Sequence, residues 1–435
     1  MQINPAILDE VQRIRLVDTH EHLMAEADRR AQKLDFFYLF PHYASSDLIS
    51  AGMPIPVLEG IRDPNRPLEE RWREFAPYWP QVRTTGYGKS LIKACQGLFG
   101  VDDINESTYR EISEALAVSN RPGWYRHVLK EKARIDVSVI DSLSVDGRPI
   151  TDVDREFFAP VVRFDKFVTP TSRAELRLLE GWSGQSIHTL DDLIKALNQG
   201  FEKAVEGGAV GVKSGLAYLR SLTYDKVTRH EAEVCFNRIF SHLDPLRESI
   251  RPSPSFAVSW EEAKPLQDYM MHQIIRRAID YRLPIQVHTG LQEGNSNVIT
   301  NSDPTRLINL LIEYPEARFD LFHAGYPYTS EMASIGKNFA NAYVDLCWVH
   351  IISPFVARRV LHEWIETVPA NKIFAFGGDY IVVEGAYGHA EMAREGVARV
   401  LSEKVEEGYF TETEAIRVAR QILHDNPTEL FRLFV

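Results

Sequence analysis

Short apolar, β-branched runs alternate along the chain with longer amphipathic stretches, the pattern of βα units built around a parallel sheet. The runs predict strands at Arg15–His22, Ile135–Asp141, Val161–Val168, Ala209–Ser214, Leu283–His288, Arg318–His323, Ala342–Cys347 and Lys372–Asp379. Between them, Thr189 and Asp192 form a capping-box start for a helix over Leu190–Val205, which Gly207-Gly208 stops, and Asp303-Pro304 opens another over Thr305–Tyr314. An open doubly wound sheet would more often place a glycine-rich phosphate loop after its first strand, but Glu21-His22-Leu23 stands there. The expectation is therefore an α/β fold, a single (β/α)8 TIM barrel over residues 1–435.

Residues 24–130 interrupt the rhythm with aromatic clusters such as Phe36-Phe37-Tyr38 and Tyr78-Trp79-Pro80. In a barrel this largely helical insertion follows the first strand, so it emerges on the C-terminal face where active sites are built. It reads either as a lid or as a segment whose aromatics form a small core of their own.

Composition narrows the function classes. With 435 residues, 44% hydrophobic and a net charge of −12, the chain is a globular one with no basic block to follow a phosphate backbone, which excludes nucleic acid as the expected partner. Cys95, Cys235 and Cys347 are odd in number and lack CxxC spacing, so neither a disulfide framework nor a zinc finger is indicated. No signal-like start and no run of about 18 apolar residues is present, which leads to the expectation of a cytoplasmic protein with no membrane partner, its oligomeric state open.

The chemistry starts at Val17-Asp18-Thr19-His20-Glu21-His22. Residues two apart on a strand share a face, so His20 and His22 can both turn to the barrel axis and grip one cation, zinc or a related divalent metal; two ordinary strand histidines are the plainer alternative. Histidines recur at later strand ends, His288 in Val287-His288-Thr289-Gly290 and His323 in Phe322-His323-Ala324-Gly325, and Phe376-Gly377-Gly378-Asp379 ends the eighth with an acid. Four histidines and an aspartate on one rim are hard to place in a core without a shared partner.

This set resembles the amidohydrolase superfamily, taken in chain order. Phe322-His323-Ala324-Gly325-Tyr326-Pro327, Tyr343-Val344-Asp345-Leu346 and Asp425-Asn426-Pro427 are similar to its amidohydrolase-2 group and to the nodulin-like domain fused to glutamine synthetase-type proteins. The resemblance implies that His20, His22, His288 and Asp379 bind a divalent metal, one or two ions per chain, with Asp379 also handling the proton of the reacting water. It implies that His323 is a ligand of a second metal or a polariser of substrate. Lys213, on the fourth strand, is in two-metal branches carboxylated and bridges the ions; otherwise its ammonium pairs with a carboxylate or recognises substrate.

Arg163 and Arg220 follow the third and fourth strands and are the first candidates for holding a substrate carboxylate, because a guanidinium fork suits it. Asp165, Tyr218, Glu293, Asn295, Trp348 and His350 are weaker rim candidates, and His42, His127, His188, His230, His242, His272, His362, His389 and His424 read as structural or surface. The expected activity is a metal-dependent hydrolase acting on an ester, lactone or amide of a small molecule. The alternative is a metal-dependent nonoxidative decarboxylase, with a uronate-isomerase-like reaction a more distant third.

Overall fold

In the computed structural model, which describes residues 3–241 and 258–434, eight parallel strands pair in chain order. His242 lies outside those residues. The strands are β1 (Leu16–Glu21), β2 (Ile135–Asp141), β3 (Phe158–Arg163), β4 (Gly211–Ser214), β5 (Ile285–Val287), β6 (Phe319–Leu321), β7 (Ala342–Asp345) and β8 (Ile373–Phe374). Helices separate consecutive strands except β2 and β3, which a non-helical stretch joins, and every position of β1 is buried. Beyond the end of β8, the chain closes the ring against β1: Phe376 O accepts from Thr19 N (3.2 Å), His20 O from Asp379 N (2.8 Å), and Tyr380 O from His22 N (3.1 Å). The fold is a (β/α)8 barrel, as the hydrophobic pattern predicts.

Two strands depart from expectation, and β8 is confined to Ile373–Phe374 of the run Lys372–Asp379. β3 begins at Phe158, three residues before the predicted start, and Asp165–Val168 coil into a helical turn instead of extending it. Pro160 makes the beginning of this run look unlike a strand, yet its carbonyl still accepts from Val210 N (2.8 Å), a bond that needs no N–H of its own. The helix Leu190–Glu206 starts with the expected capping box of Thr189 and Asp192. The stretch Thr305–Tyr314 divides into a 3-10 turn at Pro304–Leu307 and an α-helix at Ile308–Glu313.

The residues between β1 and β2 fold into short helices, among them Glu26–Arg30, Ala44–Ser50, Ile55–Arg62, Leu68–Phe75, Gly86–Ala94 and Tyr109–Ser119. Phe36, Phe40, Phe75 and Trp79 pack ring to ring with centroids 5.0 to 5.9 Å apart, and Trp72 stacks on Tyr109 at 4.3 Å. These aromatics form the segment's own core. It is tied to the barrel by a fully buried ion pair between Arg29 and Glu384, whose carboxylate also accepts from Trp124 Nε1 at 2.8 Å. No helix among the described residues is long and apolar enough to cross a membrane.

Candidate active site

The C-terminal strand ends deliver their polar side chains to one cavity of about 220 Å³, lined by His22, Arg163, Lys213, His288 and Asp379. The pleat of β1 explains its share: His20 and His22 face inward, while Glu21 points the other way and accepts from Tyr380 N at 2.7 Å. The rim backbone is unusual at three strand exits. Ala324, Trp348 and Asp379 have φ of 51°, 68° and 55°, a left-handed conformation costly for residues with a side chain and concentrated at functional sites. Gly377 fits the turn before Asp379 because a Cβ there would lie 2.7 Å from Cys347 Cβ. A recess of about 500 Å³ at the opposite mouth, lined by Val137, Ala159, Val210 and Leu433 among others, contains none of the histidines.

Hydrogen-bond polarity shows what the four rings present to the cavity. A carbonyl can only accept, so each ring nitrogen that meets one carries the proton. Asp141 O accepts from His22 Nδ1 (3.0 Å), Cys347 O from His323 Nδ1 (2.9 Å), and Leu291 O from His288 Nε2 (2.9 Å). The side-chain oxygen of Gln286 takes the same role toward His20 Nδ1 at 3.1 Å. The opposite nitrogens then turn toward one another: His20 Nε2 lies 3.3 Å from His22 Nε2, and His323 Nε2 lies 3.2 Å from His288 Nδ1. Burial holds His20, His288 and His323 well below the usual histidine range, Lys213 adding to the effect on each and His288 also on His323. The neutral rings of His20, His288 and His323, each with its single proton already engaged, leave bare lone pairs at contact distance from a neighbouring ring nitrogen, an arrangement that a cation between them would relieve.

The anionic partner is Asp379. Its Oδ1 lies 3.4 Å from His22 Nε2 and 3.9 Å from His20 Nε2, and its Oδ2 lies 3.7 Å from His323 Nε2. Burial raises its carboxyl, which the charges of His22 and Lys213 oppose. Lys213 Nζ sits 3.4 Å from His20 Nε2 and 4.0 Å above the Phe322 ring, and burial pulls its ammonium below the ordinary range against the attraction of Asp379. Arg163 pairs with Asp141. Burial alone would raise Asp141, but the charges of Arg163, His22 and Lys213 outweigh it and hold the carboxyl below its usual value.

The structure thus brings together His20, His22, Lys213, His288, His323, Asp379 and Arg163. Arg220 is elsewhere: its guanidinium binds Asp268 (2.7 Å), Gln267 (2.8 Å) and the Thr223 carbonyl (2.7 Å) and lies over the Tyr224 ring, so its donors are engaged inside the protein. Four neighbours were not singled out from the sequence as site residues. Asp141 ends β2 as His288 follows β5, and the strand-end rule would have found it; with His20 and His22 it forms one group of mutually close potential ligands, and Cys347 with His323 and Asp379 forms a second. His42 and Tyr43 come from the insertion and no local pattern marks them. His42 reaches Glu293 (3.9 Å), which also accepts from Ser46 Oγ at 3.2 Å, and burial pushes His42 down to about 3, His22 and Arg62 contributing.

Inward imidazole lone pairs beside a carboxylate are the donor chemistry of a divalent metal centre, and they fit one here. In sequence, residues 248–433 match the family model for amidohydrolases. Protein fluG of Emericella nidulans is 29% identical over 178 residues, a stretch that takes in 40% of this chain and only 20% of that protein's length. In structure, the chain is similar to uronate isomerase from Thermotoga maritima (TM-score 0.80, 19% identity, 98% of this chain and 96% of that one). It is also similar to glucuronate isomerase from Caulobacter crescentus (TM-score 0.77, 16% identity, 99% and 94%). At these identities the structural likeness speaks for the fold.

Proposed function

We propose that the protein is a metal-dependent hydrolase that directs activated water at an ester, lactone or amide of a small molecule. One observation carries this reading: imidazole nitrogens turned inward from β1 and from the exits of β5 and β6 converge beside the Asp379 carboxylate. His20, His22, His288 and Asp379 would hold the ion, and zinc suits these donors. A divalent ion bound there supplies a water of lowered pKa and polarises a carbonyl. Asp379 accepts the water's proton and returns it to the leaving group. His323 polarises the substrate or holds a second ion, and Arg163 orients a substrate carboxylate from the opposite wall. Arg220 takes no part.

A second reading, isomerisation of a sugar acid, draws on a different observation. His42 and Glu293 form a titratable pair facing the same cavity as Asp379, which gives two places to hold a proton while it moves between adjacent carbons. The relatives named as uronate isomerases belong with that reading. Mass analysis of turnover products separates the outcomes: products that together gain one water support hydrolysis, a sugar-acid isomer of unchanged composition supports isomerisation, and carbon dioxide release supports decarboxylation. Metal analysis of protein purified without chelators tests the centre itself. Two ions per chain, one of them lost in Lys213→Ala, would assign the carboxylated bridge; a single ion retained in that variant would assign an amine.

A further inference from the structure

We propose that Gln286 is a positioning residue, a strut across the barrel that fixes the tautomer and ring orientation of His20 and thereby sets how tightly the centre holds its ion. This rests on the reading of His20 as a metal ligand. Three of the four rings are anchored by main-chain carbonyls, which any sequence supplies, whereas His20 is anchored by a side chain.

The orientation of that side chain is not arbitrary. Gln286 faces Thr19 O at 2.8 Å and Asp320 Oδ2 at 3.0 Å with the same terminal atom. A peptide carbonyl cannot donate, so this atom is the amide nitrogen, and the amide oxygen must be the one that meets His20 Nδ1. The ring therefore carries its proton on Nδ1 and presents a bare Nε2 to His22 Nε2 and Lys213 Nζ. Rotating the amide would set its NH2 against His20 and its oxygen against two acceptors, in a place where Gln286, His20, Thr19 and Asp320 are all fully buried and water offers no substitute.

The strut also spans the barrel. β1 and β5 are four places apart in an eight-stranded order and stand on opposite walls. Gln286 lies two residues before His288, so the same face of one strand supplies an inward imidazole and the support for another imidazole across the barrel. Losing the amide oxygen leaves Nδ1 without an acceptor and frees the proton to move to Nε2, where it would block the metal-facing lone pair. Supports of this kind typically change metal affinity by about 10–100-fold.

The test is a chelator-competition titration with Zn²⁺ on metal-stripped wild type and Gln286→Met at neutral pH, with far-UV circular dichroism and thermal unfolding of the metal-free proteins. The expected result is a folded Gln286→Met protein that binds Zn²⁺ about 10–100-fold more weakly than wild type. A wild type that does not bind Zn²⁺ would overturn the metal centre and the strut with it. Wild-type affinity in Gln286→Met, beside tight binding by wild type, would overturn the strut alone. Should Gln286→Met not fold, nitrogen-15 NMR of the ring nitrogens in metal-free wild type decides: a protonated Nδ1 and bare Nε2 on His20 support the strut, and the opposite tautomer refutes it.

Discussion

Replacing Asp379 by Asn separates holding an ion from moving a proton. The substitution is conservative in three ways that the structure specifies. Residue 379 has a φ of 55°, a region where Asn and Asp are both tolerated, so no backbone strain is added. Tyr43 donates to its main-chain carbonyl, which remains. One side-chain oxygen also remains, 3.4 Å from His22 Nε2 in the present placement. What disappears is the basic carboxylate. Loss of general-base catalysis typically costs about 10²–10⁴ in kcat, or roughly 3–5 kcal/mol of transition-state stabilisation. KM should change comparatively little, because the ground-state contacts of the cavity are unaltered. The assay is steady-state kinetics on a compound that the wild type turns over, with metal content measured on the same samples. Near-wild-type kcat in a folded, metal-loaded Asp379→Asn enzyme would refute the proton-transfer role, and equal loss of metal and activity would reassign Asp379 as a ligand only.

Two further substitutions probe the scaffold around the site. Arg29→Met should destabilise the protein by about 3–5 kcal/mol in urea unfolding, because it strands the Glu384 carboxylate where both partners are fully buried, and adding Glu384→Leu should recover much of that loss; a single-variant cost under about 1 kcal/mol would contradict it. His350, held at about 4 by burial against a hydrogen bond to the Ala375 carbonyl, binds its proton less readily folded than unfolded, where its value is 6.5. Its contribution is therefore present above pH 6.5 and lost as pH falls toward 4, on the order of 3 kcal/mol, so His350→Gln should flatten the acid side of a stability–pH curve; the comparison with wild type removes the opposing effect of Asp18 and Asp345, both raised to about 7 by burial.

Period-two spacing and strand-end position made most of the metal-binding candidates legible, because both depend on local geometry: His20 and His22 share a pleat face, and His288, His323 and Asp379 each follow an apolar run. Arg220 fits the same rim rule, but Asp268 and Gln267, from the helix Trp260–Asp280, occupy its donors, and that pairing is made between segments about 50 residues apart. The start of β3 was obscured by Pro160, which the barrel accepts because its carbonyl, not its nitrogen, is used toward Val210. His42 and Tyr43 were illegible for another reason: they reach the cavity only after the insertion has folded on its own aromatic core, so nothing in their immediate sequence carries the signal. Gln286 lies between these cases. Its position two residues before His288 was visible, but its orientation follows from acceptors on two other strands, Thr19 of β1 and Asp320 of β6. Donor identity can therefore be read along one strand, while the polarity that turns a histidine into a ligand is written between strands, in which atom of each neighbour is able to accept.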